Sequence, residues 1–319
     1  MNTTFLSGKE IASLLDMKEV IRAVEDAFFD IASGKAKMPP KIYLSLDEGD
    51  FRAMPAAIPG AAGVKWVNVH PCNPAQGLPT VMATLIYNDP ATGYPLAVMD
   101  ASLMTAYRTG AASAIASKYL ARKNISSLGL IGAGRQAVTQ YLAHMELFDI
   151  KIVKVFDSSG KAIEKFIDLF PQYPVEASSL EEAAACDIVC TVTPSREPFL
   201  KPEWIMPGTH INAVGADAPG KEELYPELLR RSKVVVDDLE QAQHSGEINV
   251  PIKNGLYQTD NIYATLAEIV SGKRAGRASD GEITIFDSTG IAIEDIAVAK
   301  LLYEKTKISN DYLTLDFIG

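Results

Sequence analysis

Leu128-Gly129-Leu130-Ile131-Gly132-Ala133-Gly134-Arg135-Gln136-Ala137 is the stretch that decides the fold. It reads G-x-G-x-x-A, directly after an apolar run and at the opening of a helical pattern. Each small residue has a physical task. Gly132 permits a tight turn between strand and helix. Gly134 lets the backbone approach a pyrophosphate. Ala137 lets the helix pack close to the sheet. The helix N-terminus offers unbonded N–H groups and a partial positive charge to an anion. Asp157 ends the next apolar run. A carboxylate there accepts hydrogen bonds from ribose hydroxyls and repels a 2′-phosphate. Ser158, Ser159 and Gly160 follow it with no arginine, and Lys161 is the one nearby cation. The combination predicts a bound dinucleotide, with NAD favoured over NADP. It does not say what is done with that dinucleotide.

Around this motif, apolar runs alternate with amphipathic helical stretches. The strand candidates are Leu128 to Ile131, Ile152 to Phe156, Ile188 to Thr193, His210 to Val214, Val234 to Asp237 and Ile283 to Phe286. Such alternation is the mark of a parallel α/β sheet. The N-terminal part has another texture. Residues 7 to 34 read as helical, with Ser7 and Glu10 spaced as a capping box and Gly34 as a stop. Ile42 to Leu44, Phe51 to Met54, Val64 to Val67, Val81 to Tyr87 and Pro95 to Met99 are short strand candidates separated by turn residues. Asn88 to Gly93 reads as a hairpin turn. These strands predict an antiparallel or mixed sheet. Residues 101 to 123 form one Ala-rich helix. Residues 290 to 305 are helical again, with an apolar face built from Ile291, Ile293, Ile296, Ala297, Ala299, Leu301 and Leu302. The expected architecture is α/β: a Rossmann-like dinucleotide-binding domain (121–290) inserted in an α+β substrate and dimerisation domain (1–120 plus 291–319).

Composition narrows the partners. With 319 residues, 47% apolar and 22% charged, the chain has an ordinary globular balance. Its 30 basic residues stand against 40 acidic ones. An acidic chain without a Lys/Arg cluster is a poor partner for nucleic acid or an anionic membrane. No apolar run reaches the roughly 18 residues of a transmembrane helix. Met1 to Lys9 lacks a basic-then-apolar leader pattern. Cys72, Cys186 and Cys190 are sparse and odd in number, which suits reduced thiols and a cytoplasmic location. No metal is expected: Cys186 and Cys190 have no His or third Cys placed to help.

Charged residues in apolar settings mark the candidate chemistry. Arg52 sits in Phe51-Arg52-Ala53-Met54-Pro55, Lys65 in Gly63-Val64-Lys65-Trp66-Val67-Asn68, and Arg108 before Thr109-Gly110-Ala111. Cations in sheet-like segments often only face solvent. An arginine fork, however, suits a substrate carboxylate, and a lysine beside it acts as acid or base if its pKa is lowered. Asp217 follows the strand His210 to Val214, just past the end where doubly wound sheets bind ligands. The histidines form no metal-like spacing. His210 reads as a strand residue, His144 and His244 as helix-surface residues.

Several of these stretches stand together in the order of a known family. Arg52 to Pro55, Gly63 to Asn68, Gly77 to Val81, Arg108 to Ala111, the glycine loop, Ile211 to Asp217 and Phe286 to Gly290 resemble the ornithine cyclodeaminase/mu-crystallin family over nearly the whole chain. Within it, Lys65 to Asn68 and Asp238 to Ala242 are most similar to the archaeal-type alanine dehydrogenase branch. The resemblance implies a homodimer with NAD(P) in the Rossmann-like domain. It implies that Arg52 and Lys65 hold the substrate carboxylate and that Lys65 serves the chemistry with Asp217. It places Thr80 and Arg108 against cofactor or substrate and Thr289 at the substrate. Gly132, Gly134, Arg135, Gln136, Asp157, Thr193, Val214, Lys221 and Ser288 fall on cofactor positions. Arg135 stands where some relatives have a small residue, so its guanidinium bears on cofactor preference. The chain also lacks the longer C-terminal region associated with cyclodeaminases.

The activity expected from this is NAD-dependent, reversible oxidative deamination of L-alanine to pyruvate and ammonia. Two alternatives keep the same imine chemistry: reduction of pyrroline- or piperideine-2-carboxylate, and ornithine cyclodeamination. A third is cofactor binding without turnover, as in mu-crystallin.

Overall fold

Two-residue alternation builds the first sheet of the computed structural model, which describes residues 2–308 and 311–319. In β3 (Gly49–Ile58) the buried side chains are Arg52, Met54, Ala56 and Ile58. β3 pairs antiparallel with β2 (Ile42–Leu46) and β4 (Ala61–Val69). β5 (Val81–Asn88) and β6 (Pro95–Asp100) continue the antiparallel run. β1 (Thr3–Leu6) joins β6 in parallel, and β15 (Leu313–Leu315) closes the edge against β1. The seven-stranded sheet is therefore mixed, in the order β15-β1-β6-β5-β4-β3-β2. Its inner face packs on the helix Ala292–Thr306, which also meets the helix Met17–Ala32. The latter buries Val20, Ile21, Val24, Ala27 and Phe28 at helical spacing.

The predicted helical stretch 7–34 is two helices, Gly8–Leu14 and Met17–Ala32. Asp16 explains the break. Its backbone is extended and its carboxylate accepts from Glu19 N at 3.0 Å, so it caps the second helix rather than continuing the first. The Ser7–Glu10 capping box is present.

The second sheet has eight strands, all parallel: β7 (Ser127–Ile131), β8 (Ile152–Phe156), β9 (Val175–Ala177), β10 (Ile188–Thr191), β11 (His210–Ala213), β12 (Lys233–Val236), β13 (Ala264–Thr265) and β14 (Thr284–Asp287). Their order is β13-β12-β14-β11-β10-β7-β8-β9. From β7 the chain runs outward to β9, then returns to place β10 on the other side of β7. That reversal is the topological switch point of a doubly wound sheet, and ligands bind at the carboxyl ends of the strands beside it. One feature departs from the simplest winding: β14, the unit's last strand, inserts between β11 and β12.

The chain divides into two compact units, Met1–Arg108 with Ile291–Gly319, and Thr109–Gly290. Residues 109–120, read on sequence with the first domain, cluster with the second. Gly110 shows why. A Cβ there would stand 2.4 Å from Thr139 O, so the helix Ser102–Leu120 lies tightly on the helix Arg135–Leu147. Gln140 Nε2 donates to Ser113 Oγ at 2.9 Å, and Asn212 Nδ2 donates to Ser117 Oγ at 2.9 Å.

His144 corrects one expectation. It is buried rather than on a helix surface, with Nε2 2.9 Å from Ser117 Oγ and Nδ1 2.7 Å from Gln140 O. Burial pushes it down to about 4, so it belongs to the unit's buried polar network as a neutral ring. Cys186 and Cys190 are buried free thiols, pushed up by burial to about 11 and about 12. Among the described residues no helix is long and apolar enough to cross a membrane.

Candidate functional site

Each unit carries its own cluster of polar groups. In the first unit, strand register sets the geometry. Lys65 on β4 stands opposite Met54 on β3, and Arg52 stands opposite Val67. Alternation thus puts Arg52 and Lys65 on the same buried face. The solvent-facing reading of these cations is excluded: Lys65 is 1% exposed and Arg52 5%.

Lys65 Nζ lies 2.6 Å from Asp295 Oδ2. Asp295 Oδ1 accepts from Arg108 Nε at 3.0 Å, and Glu294 Oε2 accepts from Arg108 Nη1 at 2.8 Å. Two cations and two carboxylates are therefore buried together. Glu294 and Asp295 occupy the first turns of the helix Ala292–Thr306, where the positive end of the helix favours their negative charge. Burial drives the Lys65 ammonium down, Asp295 pulls it back up, and Arg108 pushes it down further. The outcome is about 7, against an ordinary lysine near 10.5. A lysine at that value exchanges protons near neutral pH. Burial opposes the Arg108 charge too, but Asp295 and Glu294 outweigh it and hold its pKa above the usual range. Buried charge clusters are weak devices for stability, since apolar side chains of like volume often serve as well. Perturbed groups gathered this way are a mark of function.

Arg52 is held by Asp50, Nε to Oδ1 at 2.7 Å and Nη2 to Oδ2 at 3.3 Å, and lies 5.3 Å from the Tyr43 ring centre. Asp50 fixes the fork's plane. Thr80 precedes β5, half-buried, its carbonyl accepting from His70 N at 2.8 Å.

In the second unit the residues expected at a cofactor gather at the carboxyl ends of the parallel strands. Gly132 has φ +104°, which a side chain would strain. A Cβ on Gly134 would meet nothing within 4 Å, and no side chain caps the helix that starts at Arg135. Arg135 is exposed and Gln136 half-buried on that first turn. Asp157 follows β8. Its Oδ2 accepts from Ala133 N and its Oδ1 from Ser159 N, each at 2.8 Å. Each oxygen retains acceptor capacity. Ser288 follows β14, and its buried hydroxyl has no hydrogen-bond partner. Open space at a bare helix N-terminus, a fixed carboxylate and an orphaned hydroxyl all fit a dinucleotide.

Thr193 and Val214 stand on the loops after β10 and β11. Thr193 gives both N and Oγ1 to Glu223 Oε1, at 2.8 and 2.7 Å. Val214 N donates to Thr191 O at 3.0 Å. Thr289, expected at the substrate, donates N and Oγ1 to Asp237. Asp217 and Lys221 pair with each other, Oδ1 to Nζ at 2.5 Å. Asp217 belongs to the second unit, and the Lys65 cluster is built from residues of the first.

Sequence reasoning missed the carboxylates. Glu294 and Asp295 had a signal, being adjacent acids inside an apolar helix. Glu223 and Glu247 had none, because most of the groups they meet lie far from them in the chain. Glu223 also accepts from Thr191 Oγ1 and Gly215 N, tying the ends of β10 and β11 to one carboxylate. Glu247 accepts from Glu223 N and Leu224 N, and Asp287 accepts from Glu247 N and Ile248 N. Burial raises all three; for Asp287, hydrogen bonds oppose the rise and neighbouring Asp237 adds to it, leaving it at about 8.

That value has a sign. Folded Asp287 keeps its proton to a higher pH than the unfolded chain does. Its stabilising contribution is full below about 4 and is lost as pH rises toward 8. Asp287→Asn should therefore lose less stability than wild type between pH 6 and pH 8. Thermal melts at the two pH values check this, and an unchanged difference in Tm refutes it. Among the described residues, no group of three or more His, Cys, Asp or Glu is arranged to hold a metal ion.

The chain is similar to known proteins along most of its length. The family description "Ornithine cyclodeaminase/mu-crystallin family" matches residues 1–310. The chain is 54% identical to an alanine dehydrogenase of Archaeoglobus fulgidus over 312 residues, 97% of each chain. A solved archaeal alanine dehydrogenase dimer with bound NAD superposes with a TM-score of 0.98 at 52% identity, covering 100% of both chains. The Thermococcus litoralis Delta(1)-pyrroline-2-carboxylate reductase, solved with NADH and L-proline, gives 0.95 at 41% identity over 98% of this chain and 100% of that one. A lysine buried against paired carboxylates and a glycine loop facing a fixed aspartate thus sit in a chain that matches one family from end to end: it belongs to the ornithine cyclodeaminase/mu-crystallin family.

Proposed function

We propose that the protein is an NAD-dependent L-alanine dehydrogenase, interconverting L-alanine, water and NAD with pyruvate, ammonia and NADH. The observation that carries this reading is Lys65: buried, paired with Asp295 and poised near neutral pH in a chain 54% identical to an alanine dehydrogenase. Arg52, with its fork plane set by Asp50, clamps the substrate carboxylate. Lys65 holds the carboxylate or carbonyl oxygen and moves protons as the carbinolamine forms and collapses. Arg108 supports the same anionic end. Asp217 orients the amine or the attacking water when Lys221 releases it.

NAD supplies the two-electron oxidant when bound. Gly132, Gly134, Arg135 and Gln136 receive its pyrophosphate, Asp157 its adenosine ribose, and Thr193, Val214, Lys221, Ser288 and Thr80 the remainder. The relatives solved with NAD and NADH support this choice. Thr289 contributes to substrate contact.

The protein acts as a homodimer in this reading. The archaeal relative is a dimer, and the first sheet presents Ile42, Leu44, Leu46, Trp66 and Ile86 as large exposed apolar side chains. A monomer mass by light scattering would refute it.

Identity to the Thermococcus reductase favours one second reading, reduction of a cyclic imine to proline or pipecolate. One assay separates the two. NADH loss with pyruvate should require ammonia. Loss with pyrroline-2-carboxylate alone, and none with pyruvate plus ammonia, would make the protein a ketimine reductase. Ammonia release from ornithine with catalytic NAD would make it a cyclodeaminase. Silence throughout with intact NADH binding would leave a binding protein.

A further inference from the structure

We propose that Asp295 is a positioning residue for Lys65, and that Glu294 keeps it in that role by taking the outer nitrogen of Arg108. The inference rests on Lys65 serving the chemistry proposed above. Asp295 divides its carboxylate. One oxygen meets Lys65 Nζ at 2.6 Å, and the other accepts from Arg108 Nε at 3.0 Å. Glu294 meets Arg108 Nη1 at 2.8 Å. With Glu294 removed, Arg108 has only Asp295 left of the two acids, and it competes with Lys65 for that one carboxylate. The two acids therefore act as a pair: one fixes the lysine, the other keeps the arginine from claiming its partner.

Charge gives the pair its second effect. All four side chains are within a few per cent of full burial. With Lys65 protonated the four charges sum to zero; without its proton they leave one buried negative charge. The charged groups that act on Lys65 come from three elements: Asp295 from the helix Ala292–Thr306, Arg108 from the helix Ser102–Leu120, and Lys41 ahead of β2; Glu294 reaches it through Arg108, and the Arg52–Asp50 pair stands on β3, with Arg52 on the same buried face. Burial, Arg108 and Lys41 all favour the neutral amine, and Asp295 opposes them. Without Asp295, the balance moves toward the neutral amine. A purely structural role needs none of this, since an apolar residue on β4 would fill the same core more cheaply.

The test titrates Lys65 directly in the full chain, by NMR of protein labelled with 13C at the lysine Cε carbons, with Lys65→Met assigning the signal. Parallel pH profiles of kcat/KM use pyruvate, ammonia and NADH. Asp295→Asn should lower the Lys65 midpoint by at least one pH unit, about tenfold in proton affinity, and should move the rate profile in the same direction. Glu294→Gln should move the midpoint less. An unmoved midpoint in Asp295→Asn overturns the inference and leaves the proposed activity standing. A moved midpoint with an unmoved rate profile overturns the role of Lys65 in that activity and leaves the pairing standing. Asp295→Glu covers a failure of Asp295→Asn to fold. It keeps the charge one methylene out of place, so positioning predicts about a tenfold loss of kcat, and wild-type kcat overturns the inference.

Discussion

Lys65→Met loses turnover by a factor of about 10²–10⁴, the usual contribution of a positioned acid or base, while NADH binding stays close to wild type. Methionine is chosen over alanine because Lys65 is one of the largest fully buried side chains, and a cavity would cloud the result. The substitution leaves Arg108 facing two buried carboxylates. Breaking a buried pair costs about 3–5 kcal/mol, so a lower Tm is expected as well. The binding measurement separates chemistry from misfolding. The residues assigned to the dinucleotide, Thr80 apart, belong to the other unit, so NADH fluorescence titration reports whether that unit stays folded. A kcat within tenfold of wild type, with binding intact, would remove Lys65 from the mechanism.

Asp157→Ala raises KM for NAD about 10–100-fold and erodes the preference for NAD over NADP. The carboxylate is already fixed by Ala133 N and Ser159 N, so it meets the ribose without reorganising. Hydrogen bonds to a charged group are worth about 1.5–3 kcal/mol each, which sets the expected size. Removing the charge also removes the repulsion of a 2′-phosphate, and exposed Arg135 is then the nearest guanidinium in sequence on the glycine loop. The check is the ratio of kcat/KM for the two cofactors. If that ratio does not move, the ribose assignment to Asp157 is wrong.

Much of the fold was legible because it rests on short-range physics. Strand alternation from Phe51 to Met99, the apolar runs of the parallel sheet and the G-x-G-x-x-A turn each declare themselves within a few residues. The Ser7–Glu10 box is a local exchange of two hydrogen bonds and is present. Asp16 was harder. The same side chain is an ordinary helix-surface acid or a cap, and only backbone geometry distinguishes them. The strands Thr3–Leu6, Val175–Ala177 and Leu313–Leu315 are too short to carry a periodic signal.

Which residues carry charge in apolar surroundings, which turn bends at Gly132, and where a carboxylate follows β8 all depend on neighbours along the chain. What those charges meet depends on contacts made only in the folded molecule. Lys65 and Asp295 are 230 positions apart and 2.6 Å apart in space. Nothing in Glu294-Asp295 says that this turn faces Arg108 and Lys65 rather than water, since a helix N-terminus welcomes acids in either case. Nothing in the sequence near Glu223, Glu247 and Asp287 shows that they meet, yet burial makes them the ties between strand ends. His144 reads as exposed on helical spacing and is buried because the helix Ser102–Leu120 lies against it. Desolvation is a property of the assembled fold, so the proton affinities that give these groups their roles exist only once the chain has packed around them.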